Sequence, residues 1–282
     1  MNAPELVIRK VSKHYRGERR FLGSAQPFTA LDDVSFTLEP GQTLGIVGES
    51  GSGKSTLGRI AAGIDRQSAG TVTFRGEPYA KLGSRQWRQQ RQGVQFVFQN
   101  PAGAVDPRLP IGDQVAEALD THESLPRAER DRRVAEMLDL VGLGNFARRV
   151  PQQLSGGQLQ RAVIARALVM RPRLLICDEA VSALDVSVQA QIINLLVSLR
   201  ERLGLSMIFI THDLSVARHI SRHVAVMNRG RIVEMNDAET LFSAPTQDYT
   251  RKLLAAIPAS TPAARRARDA ALAGSAPPKV FS

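Results

Sequence analysis

The chain has 282 residues, 43% of them hydrophobic, which suits one large domain with a sizeable core, with or without small subdomains and a tail. A single cysteine, Cys177, excludes internal disulfides and multi-cysteine metal sites, and its apolar surroundings predict a small buried side chain. No apolar run approaches the roughly 20 residues that cross a bilayer, and no secretory segment follows Met1. We therefore expect a cytoplasmic protein, and any membrane role would need a partner that supplies the spanning helices.

The net charge of +10 comes largely from basic clusters near the two ends of the chain. Such a balance could serve nucleic acid or an anionic membrane surface. Aromatic side chains do not interleave these clusters as they do in strand-binding grooves. The pattern favours a solvated basic protein with no specific nucleic-acid partner.

Strand-like patterns dominate the first hundred residues. They predict a strand that begins at 6–8, further strands at 30–38, 42–47 and 71–74, and then a basic segment at 84–99 that ends in a strand at 93–98. From about 112 to 170 the pattern is helical, with interruptions at Pro126 and Pro151.

After residue 172, apolar runs at 174–177 and 207–210 flank a helix predicted at 188–203. Such runs between helices are typical of a parallel sheet covered on both faces. The predicted fold class is α/β with a mostly parallel core sheet. Residues 259–282 are rich in Ala, Pro, Arg and Ser, which predicts a disordered basic tail.

A glycine-rich segment at 48–56 fits the pattern G-x-x-x-x-G-K-[ST] between a strand and a helix. In this arrangement backbone N–H groups at the helix start cradle phosphate, Lys54 reaches the β- and γ-phosphates, and Ser55 ligates Mg²⁺. A chance Gly/Ser turn is the alternative, which the flanking strand and helix disfavour. The residues expected to bind ATP here are Gly48, Ser50, Gly51, Ser52, Gly53, Lys54, Ser55 and Thr56.

Two carboxylates, Asp178 and Glu179, end the apolar run that starts at Leu174. Because ligands collect at the carboxyl ends of parallel strands, Asp178 is expected in the Mg²⁺ shell and Glu179 as the general base for an attacking water. Taken alone, the pair could equally be a surface turn.

The segment Ser155-Gly156-Gly157-Gln158 opens a helix that we expect to end near Met170, ahead of Pro172. Ser155 is a good N-cap, whereas two glycines weaken a helix. Close approach of an anion to the helix N-terminus would explain them, and an ordinary capped helix is the alternative.

Taken together, residues 5–258 resemble the ATP-binding cassette (ABC) proteins, a P-loop NTPase fold with an antiparallel β subdomain and a helical signature subdomain. The segment 155–158 is similar to the signature motif, which implies contact with ATP bound to a partner subunit. Gln99 resembles the Q-loop residue, which implies a place near ATP and Mg²⁺. Asp185 resembles the D-loop aspartate, and His212 the catalytic switch histidine.

Tyr15 lies where the family stacks an aromatic ring on adenine. Its neighbour His14, and Phe21 and Phe28 further along, are alternatives for that role.

Within the family, the chain resembles the second ATPase of bacterial dipeptide, oligopeptide or nickel importers. The segments 100–113, 181–189 and 241–258 carry this likeness, although Ala180 and Gln247-Asp248 depart from residues common in the group. The resemblance implies an ATPase domain at 1–235, with a helical subdomain at about 100–170, and an importer-type extension at 236–258.

The implied function is ATP hydrolysis that powers import of peptides or a related small solute at the cytoplasmic face of the plasma membrane. The implied partners are integral membrane permeases, a second ABC ATPase in a heterodimer and, indirectly, a solute-binding protein. A soluble cassette acting on nucleic acid or translation, or an exporter ATPase, is the alternative. The single cassette and the single cysteine disfavour the soluble protein, and the C-terminal extension disfavours the exporter.

Overall fold

A computed structural model describes residues 3–15 and 28–256, which contain two sheets and a cluster of helices. The strands of this part of the chain are β1 (Leu6–Tyr15), β2 (Phe28–Leu38), β3 (Thr43–Val47), β4 (Ala69–Phe74), β5 (Glu77–Pro78), β6 (Val94–Val97), β7 (Leu174–Asp178), β8 (Ser206–Ile210), β9 (His223–Asn228) and β10 (Arg231–Asp237). The helices are α1 (Lys54–Ala61), α2 (Arg85–Gln92), α3 (Ile111–His122), α4 (Arg127–Leu140), α5 (Gly156–Leu168), α6 (Val186–Leu203), α7 (Leu214–Ile220), α8 (Ala238–Ser243) and α9 (Asp248–Ala255).

The larger sheet has the order β10-β9-β3-β8-β7-β6, and only its β10–β9 pair is antiparallel. Strands β3, β7 and β8 are buried along their whole length. Successive residues face opposite sides, so that Leu175 and Cys177 join one apolar core while Leu174 and Ile176 join the other. Burial on both faces explains why these strands are continuous apolar runs.

The smaller sheet is antiparallel, in the order β2-β1-β4-β5. Its apolar side packs on α1 and on the adjacent face of the larger sheet. On the opposite face of the larger sheet, α3, α4 and α5 pack together with α6. The predicted fold class, with a mostly parallel core sheet, an antiparallel β part and a helical part, is confirmed.

Burial of Cys177 is also as predicted, and it raises the pKa of the thiol to about 12. Within the described ranges, no helix combines the length and apolar character needed to span a membrane. The predicted disordered tail at 259–282 lies outside the described residues, as does Phe21.

Helix α2 and the C-terminal hairpin β9–β10 were not among the elements predicted from the sequence pattern. Helix α2 has no buried residue and therefore no apolar face to reveal it; it is anchored by Ser84, whose side chain accepts a hydrogen bond from the Trp87 N–H. The helical prediction over 112–170 resolves into α3, α4 and α5, and α5 ends at Leu168 rather than Met170.

Candidate functional site

The phosphate loop connects the buried end of β3 to the start of α1, as predicted. Its first glycine, Gly48, has φ 150°, and a Cβ there would lie 2.2 Å from the Met227 carbonyl oxygen. Only glycine fits this position without displacing β9. The absence of a side chain at Gly48 therefore lets the loop pack closely against β9 and leaves the loop backbone accessible to a ligand.

Lys54 is the first residue of α1 and is only 4% exposed. Its ammonium donates hydrogen bonds to the carbonyl oxygens of Gly48 and Glu49, both at 2.8 Å. Burial lowers the pKa of Lys54, and the nearby Glu179 and Asp178 carboxylates act in the opposite direction. The Lys54 ammonium is thus held inside the loop, where the motif would place it next to the phosphate groups of ATP.

Ser55 and Asp178 meet at the junction of α1 and β7. The Ser55 hydroxyl donates to Asp178 Oδ1 at 2.9 Å. Burial raises the pKa of Asp178; the Ser55 hydrogen bond lowers it and the neighbouring Glu179 raises it further. A cation bound here would offset the cost of burying the Asp178 carboxylate. The Ser55 hydroxyl, the Asp178 carboxylate and the Gln99 amide oxygen are oxygen ligands of the kind that Mg²⁺ prefers. No cluster of three His, Cys, Asp or Glu side chains suited to a metal occurs in residues 3–15 and 28–256.

Glu179 lies next to two other predicted site residues, the ATP-binding Gln99 and the catalytic His212. Its Oε2 accepts a hydrogen bond from Gln99 Nε2 at 2.9 Å and lies 3.9 Å from His212 Nδ1. Its backbone adopts φ 49°, an uncommon conformation for a residue with a side chain. The carboxylate is therefore aimed from the end of β7 by a strained turn.

A cavity of about 300 Å³ lies over the phosphate loop. Its lining residues are Phe28, Ala30, Ser50, Gly51, Gly53, Lys54, Ser55, Thr56, Gln99 and Glu179. Most of the predicted ATP-binding residues therefore surround one space. Ser52 is different, because its side chain is buried and its hydroxyl has no hydrogen-bond partner in the described chain.

Phe28, rather than Tyr15, forms the aromatic wall of this cavity. Phe28 is 60% exposed and pairs with Tyr15 across β1 and β2. The Tyr15 hydroxyl donates to Asp65 Oδ2 at 3.1 Å, and the Lys13 ammonium lies 4.9 Å from the centre of its ring. Adenine stacking on Tyr15 remains a prediction, and Phe28, an alternative from the sequence, is the aromatic residue nearest to the loop cavity.

The signature segment forms a capping box at the start of α5. The Ser155 hydroxyl accepts from the Gln158 N–H at 3.3 Å, and Gln158 Oε1 accepts from the Ser155 N–H at 2.9 Å. A Cβ at Gly157 would lie 2.5 Å from Val188 Cγ1. At least one of the two signature glycines is therefore needed for packing within the chain, a contact that no local sequence signal indicated.

Asp185 caps the neighbouring helix α6. Its Oδ1 accepts from the Val188 N–H at 3.0 Å and from the Ser187 hydroxyl at 2.7 Å, and these bonds lower the pKa of Asp185. The residues of 155–158 and Asp185 are not part of the lining of the phosphate-loop cavity. The chain thus presents two separate groups of motif residues, one around the loop and one at the starts of α5 and α6.

Comparison with known proteins agrees with this geometry. The ABC transporter family profile matches residues 31–182, more than half of the chain. A Brucella abortus protein named provisionally as a peptide import ATP-binding protein is 50% identical over 252 residues, 88% of this chain and 74% of that protein. The oligopeptide transport ATP-binding protein OppD of Mycobacterium tuberculosis is 48% identical over 88% of this chain and 40% of its own length.

Among solved structures, the ATP-binding cassette MJ0796, in a dimeric post-hydrolysis state bound to ADP and Pi, is 30% identical with a TM-score of 0.73. The match covers 83% of this chain and 98% of that one. Clostridium perfringens cbiO1, part of the transporter complex cbiONQ, is 26% identical with a TM-score of 0.75 over 86% and 92% of the two chains. Profile, relatives and fold agree, and the chain belongs to the ABC transporter family as an ATP-hydrolysing cassette.

Proposed function

We propose that this chain is the ATPase subunit that powers a membrane importer for peptides or a related small solute. The observation that carries the ATPase part is the convergence of Lys54, Ser55, Gln99, Asp178 and Glu179 around the phosphate loop. Support for import comes from the names of its relatives, which describe peptide, oligopeptide and glutathione import.

ATP would place its phosphates against the backbone N–H groups of the loop and the N-terminus of α1. Lys54 would exchange its present carbonyl partners, Gly48 and Glu49, for the β- and γ-phosphates. Ser55, Asp178 and Gln99 would hold Mg²⁺, which neutralises charge on the phosphates when bound.

Glu179 is the group that would polarise the attacking water, because its carboxylate lies at the open end of β7. His212 Nδ1 lies 3.9 Å from the same carboxylate, so His212 would hold the water or the γ-phosphate beside Glu179. Gln99 bonds to Glu179, so displacement of Gln99 by the γ-phosphate would free the carboxylate for catalysis.

A second ATPase subunit would complete each site. The segment Ser155–Gln158 lies away from the loop cavity of its own chain and is free to contact a nucleotide on a partner. The negatively charged γ-phosphate would contact the phosphate loop of one subunit and the N-terminus of α5 in the other. It would thereby hold the two subunits together, and hydrolysis would release them. Because the chain resembles the second ATPase of importers, we propose that its partner is a different ATPase and that the two form a heterodimer.

Permeases would dock beside the Q-loop. A groove of about 430 Å³ there is lined by residues of β6, α3 and α5 and of the segments that follow β6 and α5, including Phe98, Arg166 and Met170. Phe98 is 47% exposed and directly precedes Gln99, so a helix seated in the groove would respond to movement of the nucleotide sensor. The chain would then lie at the cytoplasmic face of the membrane, with a solute-binding protein contacting the permeases and no specific nucleic-acid partner.

The test is to express the chain with the permeases and second ATPase encoded beside it, and to purify it through an affinity tag. We expect membrane-bound permeases to co-purify and solute to stimulate ATP hydrolysis. In the same complex, Lys54→Ala should abolish ATP binding while leaving co-purification intact. Recovery of RNA or ribosomes instead of permeases would favour the soluble alternative, and outward transport would favour the exporter.

A further inference from the structure

The two-residue turn between β9 and β10 joins the phosphate loop to the smaller sheet. Both of its residues have positive φ, 46° at Arg229 and 80° at Gly230, as in a tight hairpin. The Gly230 N–H donates to the Ser52 carbonyl oxygen of the phosphate loop at 2.9 Å. The Gly230 carbonyl oxygen accepts from the Asp32 N–H of β2, also at 2.9 Å. A single residue therefore bonds to both the loop and β2.

The turn approaches β2 so closely that a side chain would not fit. A Cβ at Gly230 would lie 2.9 Å from the Ala30 carbonyl oxygen and 3.2 Å from Leu31 Cα. The phosphate loop reaches the same place, since a Cβ at Gly53 would lie 2.5 Å from that carbonyl oxygen. The turn, the loop and β2 therefore meet around the backbone of Ala30.

An ion pair next to this point connects the hairpin to β2 a second time. The Arg231 guanidinium donates to Asp32 Oδ2 through Nε at 2.8 Å and through a terminal nitrogen at 2.5 Å. Both side chains are exposed, so the pair alone contributes little free energy. Together with the bond from Gly230, however, it holds both the backbone and the side chain of Asp32.

Strand β2 supplies the part of the nucleotide cavity that lies beyond the phosphate loop. Phe28 and Ala30 of β2 line this cavity together with the loop residues. Tyr15, the other candidate for adenine stacking, pairs with Phe28 across β1 and β2. The contact that fixes β2 against the loop would therefore position either aromatic ring relative to the phosphates.

We propose that Gly230 is a positioning residue that sets the spacing between the phosphate loop and the base-binding wall on β1 and β2. With this spacing, a nucleotide could contact the loop through its phosphates and the wall through its base at the same time. This inference rests on the proposed binding of ATP by the loop.

The test is Gly230→Ala in the full chain, with Mg²⁺-tripolyphosphate as a second ligand that has no base. The added methyl should push β2 away from the turn. We expect the Kd for MgATP to rise about three- to tenfold, through partial loss of base stacking, while the Kd for tripolyphosphate changes less than about twofold.

Gly76→Ala is the matched control. Gly76 holds the corresponding position in the turn between β4 and β5, with φ 85°, and a Cβ there would meet no atom of the described chain within 4 Å. This variant introduces similar backbone strain without the contact to β2, so both Kd values should stay at the wild-type level.

Arg231→Asp provides a second test at the exposed side of the contact, where a change is tolerated even if Gly230→Ala does not fold. It would set two carboxylates against each other at Asp32. We expect the Kd for MgATP to rise about two- to threefold with the Kd for tripolyphosphate unchanged. Exchanging the pair, as Asp32→Arg with Arg231→Asp, should restore the wild-type Kd.

The two ligands separate the possible outcomes. Equal loss of affinity for ATP and tripolyphosphate would mean that the turn supports only the loop, and unchanged affinity for both would mean that it positions neither part. Either result in the folded variants would overturn the inference. A wild-type chain that binds neither ligand would instead overturn the proposed function, and this inference with it.

Discussion

At the scale of single residues, the predicted catalytic and metal-binding carboxylates lie at the end of β7, where a strained backbone and a buried charge occur side by side. Glu179 adopts φ 49° at the end of β7, and the preceding Asp178 is a buried carboxylate bonded to Ser55. Such features cost free energy and persist where the surrounding structure fixes them. Here the fully buried strands β7 and β8 supply that support, since the Glu179 N–H donates to the Ile210 carbonyl at 3.0 Å.

Replacing Glu179 by Gln should separate ATP binding from hydrolysis. The amide keeps the shape and can still bond to Gln99, but it cannot accept a proton from water, so kcat should fall about 10²- to 10⁴-fold with the Kd for ATP nearly unchanged. Phosphate release and equilibrium nucleotide binding measure the two quantities. The exposed Glu201→Gln on α6 is a control expected to behave as wild type. Turnover near the wild-type rate in Glu179→Gln would refute the general-base role.

At the scale of elements, the starts of α5 and α6 form one packed unit. Gly157 at the start of α5 leaves room for Val188 of α6, whose own N–H is capped by Asp185. The signature segment and the D-loop therefore cannot move independently without opening this contact.

Gly157→Ala should test this packing, since its Cβ would lie 2.5 Å from Val188 Cγ1. We expect a loss of about 1–3 kcal/mol in the free energy of unfolding, as is typical of overpacking. Val188→Ala should recover most of that loss in the double variant, giving a coupling energy measurable by denaturant titration. Gly156→Ala is the control, because its nearest contact, Leu184 Cδ2 at 3.5 Å, is ordinary van der Waals distance. Additive effects of Gly157→Ala and Val188→Ala would contradict the packing account.

The anchor of α9 should respond to pH through Glu234. Glu234 on β10 is buried and accepts hydrogen bonds from Thr246 and Gln247 at the start of α9. Burial alone would raise the pKa of this carboxyl, but the hydrogen bonds outweigh burial and place the pKa below the ordinary value of 4.5. Its stabilising effect is therefore complete above pH 4.5 and is lost as the pH falls toward the folded-state pKa. Limited proteolysis of α9 should accelerate over that range in the wild-type chain.

In Glu234→Gln, cleavage of α9 should already be faster at pH 7 and should vary less with pH. Glu239→Gln, at an exposed position, loses only a surface ion pair with Arg218 and should keep the wild-type pH profile of cleavage. If Glu234→Gln also kept that profile, the anchoring role of Glu234 would be wrong.

The sequence predicted what depends on local signals and missed what depends on distant contacts. The phosphate loop, the end of β7 and the cap at Ser155 each combine a residue pattern with a strand or helix boundary, so their positions could be predicted. Helix α2 lacks an apolar face, and the contact of Gly157 with Val188 joins separate helices. The packing of Tyr249 against the cluster that contains Val47 spans most of the chain, and only the folded structure shows it.

At the scale of the whole molecule, the two groups of motif residues do not share a surface cavity. The residues around the phosphate loop line one cavity, and the segment 155–158 and Asp185 are absent from its lining. If the two groups are the two halves of an ATP site, as proposed, one chain does not unite them, which is the arrangement expected of a subunit that works in pairs. The dimeric state reported for the cassette MJ0796 is in keeping with that expectation.

Ser155→Arg should therefore affect the partner's site rather than its own. The variant chain should bind ATP with the wild-type Kd, because its phosphate loop is intact. In the complex with the second ATPase and permeases, turnover should fall to about half or less, since one of two composite sites would face a bulky cation instead of a capped helix start. Asn194→Arg, exposed in the middle of α6, adds the same charge elsewhere and should leave turnover unchanged. A Ser155→Arg complex that hydrolyses ATP at the wild-type rate would mean that nucleotide is not shared between the loop of one subunit and the signature of the other.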